Sequence, residues 1–169
     1  MSLNAEDLKK AGCFSDIDIH LAEFLGRAGG EDSFQFRLMV MLLSSRLASG
    51  DVCLSLEDIE GRSLSDFFEG DDNGLCGKIL LPSKAEILGT LKKSPAVGEP
   101  GCFVPLILEE NSRLYFHKYH FFENALAEHI RNFALNKKVS MELAPSAGTF
   151  SLLFKSGQDE TDWQSVAAY

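Results

Sequence analysis

Apolar positions along this chain recur at helical spacing through its first half and again near its end, and at strand spacing between. Over 15–27, Ile17, Leu21, Phe24 and Leu25 fall near helical spacing, which predicts a helix capped by Ser15 or Asp16 and stopped by Gly29-Gly30. A shorter helix is expected over 7–11. Ser33 then caps a helix predicted over 34–48, in which Phe36, Leu38, Met39, Val40, Met41, Leu42, Leu43 and Leu47 cover most of the circumference. A helix apolar on nearly all sides belongs in the middle of a core.

Past Gly50 the texture shortens. Residues 51–54 read as a brief strand, Gly70 to Gly74 as a turn, and 84–93 as a helix behind Pro82-Ser83 with Ile87, Leu88 and Leu91 as its apolar stripe. Phe103 to Leu108 and Arg113 to Phe116 are two apolar runs joined by Glu110-Asn111-Ser112, which predicts a β-hairpin with Pro105 favouring an edge strand. From Lys118 to about Asn136 the period returns to helical, with Tyr119, Phe122, Leu126, Ile130 and Phe133 on one stripe and a core role expected for Tyr119 and Phe122. The pattern is that of an α+β fold, mostly helical at first, then a small hairpin or sheet and a following amphipathic helix. Residues 1–138 are expected to form one domain, and 139–169, broken by Pro145, Gly148 and Gly157, a linker. The last nine residues begin like a capped helix and stop, as a piece cut from a longer protein would.

Composition adds limits. The 169 residues are 45% apolar and 24% charged, enough for a core without metal or cross-links. The longest apolar run in the helical part, Leu38 to Leu43, is six residues, against about 20 for a bilayer span. Asn4, Glu6, Asp7, Lys9 and Lys10 interrupt any secretory signal, so the expected compartment is the cytoplasm. Cys13, Cys53, Cys76 and Cys102 contain no C-x-x-C pair, and four buried free thiols are expected.

A formal net charge of −9 argues against a grip on a phosphate backbone, although the charge is unevenly spread. Residues 51–72 carry a net −7, which describes a solvated face or one turned to a basic protein partner. Residues 112–138 carry a net +3, and there Arg113, Lys118, Tyr119, Arg131, Lys137 and Lys138 interleave basic groups with aromatics, as a surface for single-stranded DNA does. Catalytic patterns are missing: no G-x-x-x-x-G-K-[ST] loop, no G-x-G-x-x-G and no G-x-S-x-G. His117 and His120 lack a third ligand at matching spacing, so no metal site is expected.

Three segments together resemble one family, the alpha subunit of exodeoxyribonuclease V, RecD of the RecBCD complex, in the region ahead of its motor. They are Leu42 to Leu56, with a helix ending in Gly50 that runs into Val52-Cys53-Leu54-Ser55-Leu56; Pro105 to Leu108 with Arg113 to Tyr119, Glu123 and Leu126-Ala127; and Asp162-Trp163-Gln164-Ser165-Val166-Ala167-Ala168, similar to the stretch before the Walker A loop. His120 departs from the pattern, near a position where Trp is common. The resemblance implies a 5′-to-3′ DNA helicase subunit of a recombinational repair nuclease, whose N-terminal domain docks onto a RecC-like (gamma) subunit beside a RecB-like (beta) subunit. It implies ATP and Mg for the whole protein and DNA contact through motor domains that this chain lacks, with Gln164 reading an adenine edge. The chain itself is expected to be non-catalytic and to bind no cofactor. Glu57, Asp58, Glu60 and Phe121 are the candidate partner contacts, and single-stranded DNA binding by the basic and aromatic segment is the alternative.

Overall fold

The computed structural model describes residues 8–9, 12–68, 74 and 76–135. The chain divides into two compact units, Met1–Leu126 and Ala127–Tyr169, and of the second only 127–135 is described. The fold is α+β, as the pattern predicts.

In the first unit, helix α1 (Asp16–Ala28) lies against helix α2 (Phe34–Ala48). Ser15 and Asp18 cap α1 reciprocally: the Asp18 N–H donates to the Ser15 hydroxyl at 3.4 Å, and the Ser15 N–H to the Asp18 carboxylate at 2.9 Å. The face that α1 buries matches the expected one only in part, at Leu25 and at the partly buried Leu21. Ile19, Ala22, Leu25 and Gly26 turn inward, while Ile17 and Phe24 are 75% and 62% exposed. Gly26 leaves room for the loop after the helix, since a Cβ there would lie 2.5 Å from the Asp32 carboxylate. Just past the helix, a Cβ on Gly29 would lie 2.6 Å from the Ser94 hydroxyl and 2.8 Å from the Ala96 Cβ.

Helix α2 is the centre of the core, with Phe36 and every side chain from Leu38 to Ser44 buried. Ser33 caps it by accepting the Phe36 N–H at 3.3 Å. Around it come β1 (Leu54–Ser55), α3 (Leu56–Ile59), two 3₁₀ turns (Leu64–Phe67 and Cys76–Lys78), α4 (Lys84–Leu91), β2 (Val97–Gly98), β3 (Leu106–Glu109), β4 (Arg113–Phe116) and α5 (His117–Leu135). The strands form one sheet in the order β1-β4-β3-β2, antiparallel except for the parallel β2–β3 pair.

Two expectations are corrected here. Pro105 does not mark an edge: β3 is an inner strand, and Pro105 stands just before it, where its missing N–H removes no ladder bond. Its carbonyl instead accepts the His117 N–H at 2.9 Å. Nor are all four cysteines free, since Cys13 and Cys76 are joined in a disulfide across 63 residues of sequence. Spacing along the chain could not reveal that pair, because folding alone brings the two residues together. Cys53 and Cys102 are free as expected, but Cys53 is only partly buried and Cys102 is exposed.

The hairpin turn closes through the Ser112 N–H on the Glu109 carbonyl at 3.0 Å, with positive φ at both Glu110 (50°) and Asn111 (55°). Asn tolerates that region and Glu does so poorly. Glu110→Gly is therefore expected to raise stability by about 1 kcal/mol. A denaturant midpoint that stays put or falls would contradict this account of the turn.

Candidate functional site

Strand β4 passes into α5 without a connecting loop. Leu114 and Tyr115 are buried beneath it, and burial, reinforced by the Cys53 thiol, pushes the Tyr115 phenol well above its ordinary range. Burial likewise raises the Cys53 thiol, and a thiol kept protonated is a poor nucleophile. The first turn of α5 is pinned by His120, 9% exposed, whose ring lies 5.2 Å from that of Tyr115 and whose Nε2 is 3.5 Å from the Glu109 carboxylate. Asn124 reaches back to His120, donating to its carbonyl at 2.9 Å.

Beyond that anchor α5 is bare. From Phe121 to Leu135 every described side chain except Ala125 is exposed. This overturns the expected core role of Phe122, which is 53% exposed, alongside Phe121 at 60% and Leu126 at 61%. Within the first unit, Phe121, Phe122 and Leu126 therefore leave an exposed apolar stripe on the helix. In the second unit Ile130, Phe133 and Leu135 are exposed as well.

Phe103 extends the apolar surface of the first unit. It is 96% exposed and sets its ring against His117, one helical turn before Phe121, at 5.3 Å. Phe103, Val104, Pro105 and His117 line a hollow of about 250 Å³. The rings of Phe121 and Phe122 lie 6.0 Å apart, and the Lys118 ammonium stands 5.7 Å from the Phe122 ring and 5.9 Å from that of Tyr119. Sequence reading singled out Phe121 but placed Phe103 in a strand; Pro105 was the sign that the ladder had not yet begun. Clustered aromatics around a shallow hollow can take up an apolar surface.

The acidic residues form a separate surface. Glu57 is held by Lys84 at 2.7 Å, and Glu60 accepts the Lys84 backbone N–H at 3.3 Å. Asp58 has no ionic partner among the described residues and lines a cleft of about 520 Å³ with the ion pairs Arg46–Asp51 and Arg62–Asp66. Within the basic set, Arg113 is occupied by Glu109 at 2.9 Å, whereas Lys118 and, in the second unit, Arg131 are exposed. Lys137, Lys138 and Gln164, like the 70–74 turn apart from Gly74, lie outside the described residues. No helix among the described residues is long and apolar enough to cross a membrane.

The family model for the N-terminal domain of the RecBCD enzyme subunit RecD matches residues 10–115, more than half of the chain. Comparison with curated proteins finds no match. The matched stretch runs from the connection before α1 through most of β4, and so includes the core helix and the sheet.

Proposed function

Since the chain belongs to the family of N-terminal domains of the RecBCD enzyme subunit RecD, we propose that it is the docking module of a RecD-type 5′-to-3′ helicase subunit. Its partner in this reading is a RecC-like (gamma) subunit, in a complex that also contains a RecB-like (beta) subunit. The setting is the cytoplasm and the task is repair and recombination of broken DNA.

The observation that carries the reading is the exposed apolar face of Phe103, Phe121, Phe122 and Leu126 beside a first unit whose core is otherwise well filled. Water is a poor neighbour for four such side chains, and covering them with a partner's apolar surface recovers the hydrophobic free energy that folding leaves unused. Charge supports the same choice, because a chain with a net −9 is repelled by a phosphate backbone and not by a basic protein face. ATP and Mg belong to the remainder of such a protein. This sequence has no G-x-x-x-x-G-K-[ST] loop to hold a triphosphate, so no step of hydrolysis is assigned to its residues. Residues 1–138 act as the docking domain and 139–169 lead toward the motor.

The test is to mix the purified chain with RecC-like and RecB-like subunits from the same genome, and separately with a single-stranded oligonucleotide at low salt. Co-elution with the RecC-like subunit and no oligonucleotide complex are expected. Binding of the oligonucleotide alone, weakening steeply with salt, would replace this reading with the single-stranded DNA surface built on Arg113, Lys118, Tyr119 and Arg131 with Lys137 and Lys138.

A further inference from the structure

The Cys13–Cys76 bond joins two segments that are each closed by their own hydrogen bonds. On the N-terminal side, the Cys13 N–H donates to the Leu8 carbonyl at 3.1 Å and the Gly12 N–H to that of Lys9 at 2.9 Å. On the other side, the Ser63 hydroxyl donates to the Cys76 and Gly77 carbonyls at 3.3 and 3.2 Å, and the Leu64 N–H to the Ile79 carbonyl at 2.8 Å. Leu8, Phe14, Leu64 and Leu81 are buried on the two sides, and Phe14 meets Phe68 edge-on at 5.1 Å. The Phe14–Phe68 contact spans the two sides, and the two Cα atoms stand 6.6 Å apart, a separation that bonded pairs use.

The two cysteines differ in exposure. Cys13 is 4% exposed, while Cys76 is only partly buried. We infer that Cys13 and Cys76 form a reversible thiol–disulfide switch that fastens the turn ahead of α1 to the 3₁₀ turn Cys76–Lys78. Opening starts when a thiolate such as that of glutathione attacks the sulfur of Cys76, the less buried of the two residues, which forms a mixed disulfide and releases Cys13 as a thiolate that takes up a proton. A second glutathione displaces the first, leaving two protein thiols and one glutathione disulfide; two electrons have passed to the protein. Closing is the reverse, with glutathione disulfide as the oxidant. Cys53 and Cys102 have no partner sulfur among the described residues and take no part.

A chain carrying Cys53→Ser and Cys102→Ser keeps only the switch pair. It should be equilibrated across glutathione buffers from fully reducing to fully oxidising, quenched with acid, alkylated and weighed. A single two-electron transition within the series is expected, with both thiols blocked at one end and both alkylated at the other. On oxidation the amides of Cys13 and Leu64 should exchange at least about tenfold more slowly, and the melting temperature should rise by roughly 10 °C. Cys76→Ser and, separately, Cys13→Ser should abolish all three responses while still giving a cooperative melt. The switch is refuted if the thiols remain alkylatable in the most oxidising buffer, if the bond survives the most reducing one, or if it forms without changing exchange.

Discussion

Phe36→Ala is expected to destabilise the domain by about 3–5 kcal/mol, the largest effect of any single substitution considered for this protein. Phe36 lies in α2 with 0% exposure and belongs to the main core cluster. Removing its ring forfeits the transfer of a large apolar side chain and leaves a cavity, because α2 is bounded by α1, α4, β1 and β4 and has little freedom to close on the gap. The loss is a large share of the roughly 5–15 kcal/mol that holds a domain together. Chemical denaturation measures it directly, with Phe103→Ala as the reference. Phe103 is 96% exposed, so the same change there should move stability by no more than about 0.5 kcal/mol. Equal losses at the two positions would mean that α2 is not the centre of the core.

The second large effect concerns binding. Phe121→Asp with Leu126→Asp should weaken association with the RecC-like subunit by at least about 100-fold while leaving the thermal midpoint within a few degrees. Both side chains are more than half exposed, so the fold does not depend on them, and a carboxylate in a desolvated apolar contact costs several kcal/mol. Reversing Glu57, Asp58 and Glu60 together should cost less, about tenfold, and chiefly slow association, because these groups are solvated and Glu57 already has Lys84 beside it. Titration calorimetry and stopped-flow mixing separate the two. Undiminished affinity in the Phe121/Leu126 variant would remove α5 from the interface.

Local rules were legible in the chain and distant ones were not. The caps at Ser15 and Ser33, the all-round apolar α2 and the hairpin follow from neighbours within a few residues, and the structure has each of them. Strand β1, expected over 51–54, lies at Leu54–Ser55, and β2 has no counterpart in the sequence reading; their positions are set by the pairing of Leu54 with Leu114 and Val97 with Leu106, partners that no local pattern encodes. The same gap hid the Cys13–Cys76 bond and the inner position of β3. Helix α5 shows a subtler limit. Its stripe of Phe122, Leu126 and Ile130 was readable as an apolar face, but periodicity records that a face wants covering and not what covers it. Phe121 was reached from sequence as an exposed aromatic, while Phe103 was not, because an apolar residue at a strand's threshold looks like one within it.

The uninterrupted passage from β4 into α5 has a mechanical consequence. A force applied to the first turns of α5 enters the sheet at a strand hydrogen-bonded on both sides, to β1 and to β3, with no slack loop to absorb it. The His117 N–H on Pro105 and the His120 contact with Glu109 tie the same junction to β3, so the load is shared among several bonds instead of peeling one strand at a time. The junction behaves as a stiff bracket, and a tug at the helix is carried straight into the sheet.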